Sequence, residues 1–140
     1  MSVKRTRLVM QQYFDSQHQD VGMMADDVVF TLMTTGEETH GRAAVRDLLN
    51  YFYRQAFDAS AETTNMVFSN GKAVVEGYFV GIHIGDFIGI PPTYRQVRAP
   101  ICVVYDLDHD RIKRARVYLE MPVLMQQLGV ASDELLAQVA

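Results

Sequence analysis

The chain opens with a pattern of apolar and polar positions that has the period of an α-helix. From residue 3 to about residue 18, apolar side chains fall on one helical face, and basic and amide side chains lie largely on the other. A clearer pattern follows over residues 42–57, where the apolar positions are Val45, Leu48, Leu49, Phe52 and Ala56. Spacings of three and four residues predict a second amphipathic helix there.

The rest of the pattern predicts strands. Residues 28–33 are β-branched and apolar and form a short strand, and residues 34–41 form a loop. After the second helix, strands are predicted over residues 63–69, 72–84, 96–107 and 112–120. Asn70-Gly71 predicts a tight hairpin turn between the first two of these four strands. Pro122 suits the first turn of a short helix over residues 123–128, and Ser132 caps a last helical segment over residues 133–139.

This order of elements predicts an α+β fold, with helices placed before an antiparallel meander. Gly77, Gly81 and Gly85 indicate bulges or a strong bend in the long second strand of the hairpin. We therefore expect a curved sheet that forms a cone, with N-terminal helices over its concave face and a cavity between them. No repeat, linker or low-complexity stretch interrupts the chain, so residues 1–140 are predicted to be a single domain.

Composition and charge narrow the function classes. The net charge of −4 argues against a nucleic-acid partner, which requires a basic face. No apolar run approaches the ~20 residues of a membrane span, and the first residues turn polar too early for a secretory signal, so a cytoplasmic location is expected. Cys102 is the single cysteine. Eight Met, seven Tyr and seven Phe without a Trp favour a lined pocket for a small hydrophobic molecule.

Alternation along the last strand separates two faces. One face is polar and consists of Arg114, Arg116, Tyr118 and Glu120. The other is mostly apolar and consists of Lys113, Ala115, Val117 and Leu119. We expect the polar set to point into the cavity, although a solvated charged face is the alternative. The apolar set would then pack against a helix or a second subunit, which favours a homodimer.

The register of this last hairpin stays open at the sequence level. A two-residue turn at His109-Asp110 places Tyr118 near Ile101 and Arg116 near Val103. A one-residue bulge would give Tyr118 and Arg116 the neighbours Cys102 and Val104 instead, and would bring Asp106 opposite Arg114.

Candidate metal ligands are sparse. His83 stands near a strand end with Asp86 three residues later, and two ligands without a third do not predict a metal site. A lone histidine at such a position is more often structural. The chain contains no nucleophile elbow, phosphate-binding glycine loop or dinucleotide fingerprint. No metal or organic cofactor is therefore expected.

Two stretches resemble the motifs of a known family. Residues 81–93, GIHIGDFIGIPPT, resemble the signature G-x-H-x-G-x-F-x-G-I-P-P-T of SnoaL-like polyketide cyclases. Residues 118–129, YLEMPVLMQQLG, resemble the family ending Y-x-D-x-x-x-L-x-x-Q-L-G. The blocks at residues 26–30 and 41–45 also fit, so the resemblance extends from residue 13 to residue 129. It implies the α+β cone shared with ketosteroid isomerase and nuclear transport factor 2.

The resemblance also implies a chemistry. Cyclases of this family close a ring by intramolecular aldol condensation without a metal or organic cofactor, using an aspartate on the last strand as acid/base. Glu120 stands at the matching position, one methylene longer, and Tyr13 matches a tyrosine of the family's pocket. The position of the ketosteroid isomerase base holds Leu32, which cannot accept a proton, so the usual isomerase mechanism is excluded.

We therefore expect a cofactor-independent cyclase- or isomerase-type enzyme acting on a small hydrophobic carbonyl compound. Its predicted catalytic residues are Glu120, His83 and Arg116. Its predicted substrate-binding residues are Tyr13, Tyr118, Arg114, Phe30, Phe79 and Phe87. One alternative is a cofactor-free hydrolase of the epoxide hydrolase type, with Arg116, Glu120 and, in the bulged register, Asp106 around a water. The other is a non-catalytic module for ligand binding or dimerisation.

Overall fold

A computed structural model describes residues 1–130 and shows helices packed against one sheet. The helices are α1 (Val3–Asp15), α2 (Arg42–Asn50) and α3 (Met121–Gln127). The strands are β1 (Met24–Leu32), β2 (Glu37–His40), β3 (Phe57–Ser69), β4 (Lys72–His83), β5 (Gln96–Asp108) and β6 (Arg111–Leu119). The helical segment predicted over residues 133–139 lies outside the described residues.

The strands form a single six-stranded sheet in the order β2-β1-β6-β5-β4-β3. β1 and β6 run parallel, and the other neighbouring pairs are antiparallel. Helices α1 and α2 lie over one face of this curved sheet, and the buried core fills the space between them. This arrangement confirms the predicted α+β class and the curved sheet. That residues 1–140 form one domain stays a prediction.

Several elements differ from the sequence prediction, and β1 already begins four residues before its predicted start at residue 28. Helix α2 ends at Asn50, and a π-helical turn over Tyr51–Gln55 follows it. Strand β3 then begins at Phe57, six residues before the predicted start at residue 63. Strand β2 lies within the predicted loop over residues 34–41, because it is a polar edge strand that pairs with β1 on one side only.

The β5–β6 hairpin has both a tight turn and a bulge. His109 and Asp110 form the predicted two-residue turn, with φ values of 50° and 61°. The pairing then shifts by one residue, because Leu107 lies opposite Ile112 and Asp106 lies opposite Arg114. Lys113 is the extra residue. Of the two registers left open by the sequence, the structure has the bulged one.

The bulge reverses the predicted assignment of faces on β6. Ala115 and Leu119 are buried, and Val117 is half-buried with them against the core. Arg114, Tyr118 and Glu120 are exposed. The expectation that the polar set points into the cone is therefore wrong, and so is the use of Val117 and Leu119 as an outward face. A one-residue shift moves every following side chain to the opposite face.

The curvature depends on glycines in β4, where β3 approaches closely. A Cβ atom at Gly77 would lie 2.0 Å from the carbonyl oxygen of Glu62, and one at Gly81 would lie 2.3 Å from the carbonyl oxygen of Asp58. Both distances are far shorter than a van der Waals contact, so any other residue would push the strands apart. The pairing of β3 with β4 shifts by one residue opposite Gly77, so the predicted irregularity is present there, whereas Gly85 lies beyond the end of β4.

We expect Gly77→Ala to lower the free energy of unfolding by about 1–3 kcal/mol, because the added methyl group overpacks against the β3 backbone. Glu76→Ala is the matched control, since Glu76 is the exposed neighbour in the same strand and its loss costs about 0.5 kcal/mol or less. Urea unfolding of both variants measures the difference. Equal stability of the two variants would contradict the close approach of β3 and β4.

Candidate functional site

A cavity of about 70 Å³ lies between helices α1 and α2 and the concave face of the sheet. Its lining is mostly apolar and aromatic. Representative lining residues are Phe30, Leu48, Phe52, Phe79, Val103 and Leu119. Side chains from β6 enter it through the bulged register, which places Val117 opposite Val103 and Leu119 opposite Ile101. The predicted apolar, aromatic cavity in the cone is therefore present.

The hydroxyl group of Tyr13 is the most unusual polar group in this cavity. The Tyr13 side chain extends from α1, is fully buried and lines the cavity. Its hydroxyl has no hydrogen-bond partner among residues 1–130. Burial raises the pKa of the Tyr13 phenol well above its usual value, so the group keeps its proton at neutral pH. An unpaired buried donor of this kind is costly and points to a bound acceptor.

His18 enters the cavity beside Tyr13. Its ring stacks on the ring of Tyr53 with a centroid distance of 4.6 Å and an angle of 9°. It meets the Tyr13 ring edge-on at 5.2 Å. Burial, with a smaller contribution from the charge of Arg54, lowers the pKa of His18 from 6.5 to about 4. The imidazole is therefore neutral at neutral pH.

Two further tyrosines complete this polar aromatic cluster, which consists of Tyr13, His18, Tyr53 and Tyr105. Tyr105 lies on β5, with its ring centroid 6.2 Å from that of Tyr13. Burial raises the pKa of both Tyr53 and Tyr105. All members of the cluster are thus uncharged at neutral pH, as an apolar cavity requires.

The segment that carries His18 is held from outside the cavity. Gln17 and His18 both have positive φ values, 56° and 62°. Arg54 donates hydrogen bonds to the carbonyl oxygens of Gln17 (3.2 Å), Tyr53 (3.0 Å) and Ala59 (3.2 Å). The guanidinium group therefore ties the loop after α1 to the π-helical turn and to the start of β3. A positive φ is uncommon for residues other than glycine, so this loop conformation depends on such contacts.

The polar residues predicted on β6 lie on the outer face of the sheet. Arg116 forms a bidentate ion pair with Asp106, with nitrogen–oxygen distances of 2.9 and 3.2 Å. Lys72 also donates to Asp106, at 2.7 Å. The hydrogen bonds from Arg116 lower the pKa of Asp106 more than any other contact does. Arg114 and Tyr118 are exposed on the same face. None of these residues lines the cavity.

Glu120 stands between β6 and α3 and is exposed. Its backbone N–H donates to the carbonyl oxygen of Pro100 at 3.0 Å, and Pro100 belongs to the outer face. The carboxylate expected inside the cone is therefore outside the residues that line it. The carboxylate–arginine set required for an epoxide hydrolase is also absent from the cavity, because Asp106 and Arg116 pair on the outer face.

The remaining predicted residues divide between cavity and core. Tyr13, Phe30 and Phe79 line the cavity, as the sequence predicted. Phe87 is buried but does not line the cavity, and its ring packs against Phe57 with a centroid distance of 5.0 Å.

His83 is also fully buried outside the cavity lining. Its Nδ1 atom accepts a hydrogen bond from the backbone N–H of Thr93 at 3.1 Å and lies 2.9 Å from the Thr93 hydroxyl. The structure thus gives His83 a place in the packing of the proline-containing loop.

Sequence reasoning missed His18, which it treated as the end of the first helix. The local pattern contains no signal for the direction of its side chain, because that direction follows from the positive φ values and from Arg54. Within residues 1–130, no group of three His, Cys, Asp or Glu side chains is arranged to hold a metal ion. Over the same residues, none of the helices has the length and apolar character needed to cross a membrane.

The chain is similar to a known family of proteins. The family model described as SnoaL-like polyketide cyclase matches residues 5–128. No curated protein sequence matches the chain.

Solved structures share the fold at low sequence identity. A protein from Jannaschia sp. CCS1 that is assigned to the SnoaL-like polyketide cyclases has a TM-score of 0.82 and 15% identity, with 91% of this chain and 94% of that chain covered. TsrD from Streptomyces laurentii has a TM-score of 0.77 and 17% identity, with 94% and 99% covered. An NTF2-like protein from Burkholderia xenovorans LB400 has a TM-score of 0.74 and 15% identity, with 91% and 98% covered. These likenesses establish the fold.

The lowered pKa of His18 predicts a pH-dependent stability. The unfolded chain binds a proton at His18 near pH 6.5 and the folded chain only near pH 4, so stability falls as the pH is lowered between these values. Between pH 7 and pH 5, His18 lowers the free energy of unfolding by about 2 kcal/mol. Urea unfolding at both pH values should therefore show that His18→Gln loses about 2 kcal/mol less than the wild type over this range. His109→Gln, at an exposed turn position, should keep the wild-type loss. Equal losses in both variants would contradict a half-buried His18 that is neutral in the folded protein.

Proposed function

Because the chain belongs to the SnoaL-like polyketide cyclase family, we propose that it is a cofactor-independent enzyme of the cyclase or isomerase type. Its substrate is a small hydrophobic carbonyl compound that binds in the cavity. The observation that carries this proposal is the Tyr13 hydroxyl, a fully buried donor without a partner among residues 1–130. A substrate carbonyl oxygen is the acceptor that this hydroxyl would engage.

Tyr13 is suited to stabilise an enolate. Removal of a proton next to a carbonyl group places negative charge on the carbonyl oxygen, and a fixed hydrogen-bond donor lowers the energy of that state. The apolar lining strengthens this hydrogen bond because little water competes for it. The raised pKa of Tyr13 keeps the proton on the phenol, so Tyr13 donates a hydrogen bond and does not act as a base.

The polar groups of the cavity indicate how the substrate is selected. Apart from the cluster of Tyr13, His18, Tyr53 and Tyr105, and from Glu62, Thr63 and Glu76 on β3 and β4, the residues that line the cavity are aliphatic, aromatic or glycine. An anionic substrate would lose its hydration there without a cationic partner, because the lining contains no Lys or Arg and His18 is neutral at neutral pH. We therefore assign the site to an uncharged, largely apolar molecule with a carbonyl oxygen near Tyr13.

The exposed position of Glu120 leads us to assign it no step in this reaction, although the family has an aspartate there. The bound substrate interacts instead with Tyr13, Phe30 and Phe79, which were predicted from the sequence and line the cavity. The cytoplasmic location stays a prediction.

We also propose that the protein is a homodimer formed through the outer face of the sheet. This face carries half-buried apolar residues between its ion pairs, namely Val74, Val80, Pro100, Cys102 and Val104. Val74 and Val104 are directly opposed on β4 and β5. An apolar stripe of this kind is typical of a protein–protein contact.

We expect Val74→Lys to convert the dimer to a monomer, because it places an unpaired charge in the apolar stripe. Light scattering coupled to size-exclusion chromatography measures the mass. Leu8→Lys is the matched control, since Leu8 is 49% exposed on α1, away from the outer face of the sheet. A monomeric wild type, or a dimer that survives Val74→Lys, would argue against this interface.

Tyr13→Phe tests the proposed reaction with 2-tetralone, a bicyclic hydrophobic ketone, as the probe. The wild-type protein should accelerate exchange of the α-protons of 2-tetralone for deuterium in D2O, followed by NMR. Loss of one fixed donor should slow this exchange by about 100-fold or more. Tyr94→Phe removes an exposed phenol and should leave the rate unchanged. A Tyr13→Phe variant as fast as the wild type would rule out this role for the hydroxyl.

A further inference from the structure

His18, whose side chain is half-buried, contributes a second polar group to the cavity. The contributions that shift its pKa are burial and the charge of Arg54, with none from a hydrogen bond to a described residue. Its ring lies edge-on to Tyr13 at a centroid distance of 5.2 Å, and both residues line the cavity. One small space therefore contains a protonated phenol that can donate and a neutral imidazole that can accept. Such a pair can act on the two ends of an H–C–C=O unit.

The loop conformation around His18 indicates that this placement is maintained at a cost. Gln17 and His18 both adopt the left-handed region, which is unfavourable for residues with a Cβ atom. Arg54 and the stacked Tyr53 ring hold the loop in this state. Strained residues over-determined by their surroundings are concentrated at functional sites.

We infer that His18 is the general base of the proposed reaction and takes a proton from the carbon next to the carbonyl group held by Tyr13. This inference rests on the proposed function. The carbon–hydrogen bond breaks, its electron pair moves into the enolate, and a new N–H bond forms on the imidazole. The imidazolium then returns the proton to a different carbon in an isomerisation, or to the alkoxide oxygen formed in an aldol ring closure. Neither route requires an oxidant or a reductant.

The surroundings of His18 define the class of substrate. The groups that face its ring are the Tyr13 and Phe14 rings from α1, and Tyr53 and Arg54 from the π-helical turn. With a pKa of about 4, His18 is unprotonated at neutral pH but is a weak base. A weak base requires a carbon acid that is already activated. Together with the aromatic lining of the cavity, this favours a carbonyl compound whose reacting C–H is acidified by a second carbonyl or an aryl group.

Deuterium exchange into 2-tetralone, whose C1 position is activated by both a carbonyl and an aryl group, tests this assignment. We expect His18→Gln to slow exchange at C1 by about 100-fold or more. His109→Gln should keep the wild-type rate, since His109 is exposed in the β5–β6 turn. Wild-type protein should not accelerate exchange into cyclohexanone, which lacks the second activating group. Wild-type exchange should also fall as the pH is lowered through about 4.

Chemical rescue separates a base from a merely structural residue. Added imidazole should restore exchange to His18→Ala, because it can occupy the space left by the ring and supply the nitrogen. Phe14→Ala opens a comparable space in the same cavity wall, and imidazole should not restore whatever rate that variant loses. Rescue of both variants, or of neither, would overturn the assignment.

The outcomes also separate this inference from the proposed function. If wild type exchanges 2-tetralone and His18→Gln does so at the same rate, the base is another group and the proposed function stands. If Tyr13→Phe loses activity but His18→Gln does not, the exchange requires Tyr13 but not His18. If wild type does not accelerate exchange, both proposals are wrong.

Discussion

The single extra residue in β6 determines which side chains face the cavity. Because Lys113 is bulged, Ala115, Val117 and Leu119 share the concave face with the apolar residues of β5. The regular register would instead turn Arg114 and Arg116 inward. Unpaired guanidinium groups in an apolar space cost several kcal/mol each, so the apolar cavity is compatible only with the bulged register. The outer ion pair of Arg116 with Asp106 follows from the same shift.

The bulge is visible in the sequence once it is known. The inward-facing residues of β6 change from an even residue number, at Ile112, to odd residue numbers, at Ala115, Val117 and Leu119. The change of parity falls at Lys113-Arg114, two consecutive polar residues. The alternation of residues 114–120 correctly divides the end of β6 into two faces. It cannot say which one is inside, because that depends on the pairing partner.

Local patterns determined most of the fold and part of the site. The helical spacing of α2, the Asn70-Gly71 turn and the glycines of β4 each have a short-range physical cause, so they could be predicted. Tyr13 could be predicted as well, from its position on the inner face of α1. Strand β2 could not, because its residues are polar and pair with one neighbour. His18 could not either, because the bond that fixes its loop comes from Arg54, 37 residues away from Gln17.

Burial has one consequence that links the fold to the chemistry. It disfavours charge on every member of the polar aromatic cluster, so Tyr13 and His18 supply a donor and an acceptor that are both uncharged. A proton transfer from substrate to imidazole would create an anion and a cation together, a few ångströms apart. In a low-dielectric cavity such a pair attracts strongly, and the total charge of the site stays zero. The neutrality that allows Tyr13 and His18 to line an apolar cavity is therefore also what allows them to work as a pair.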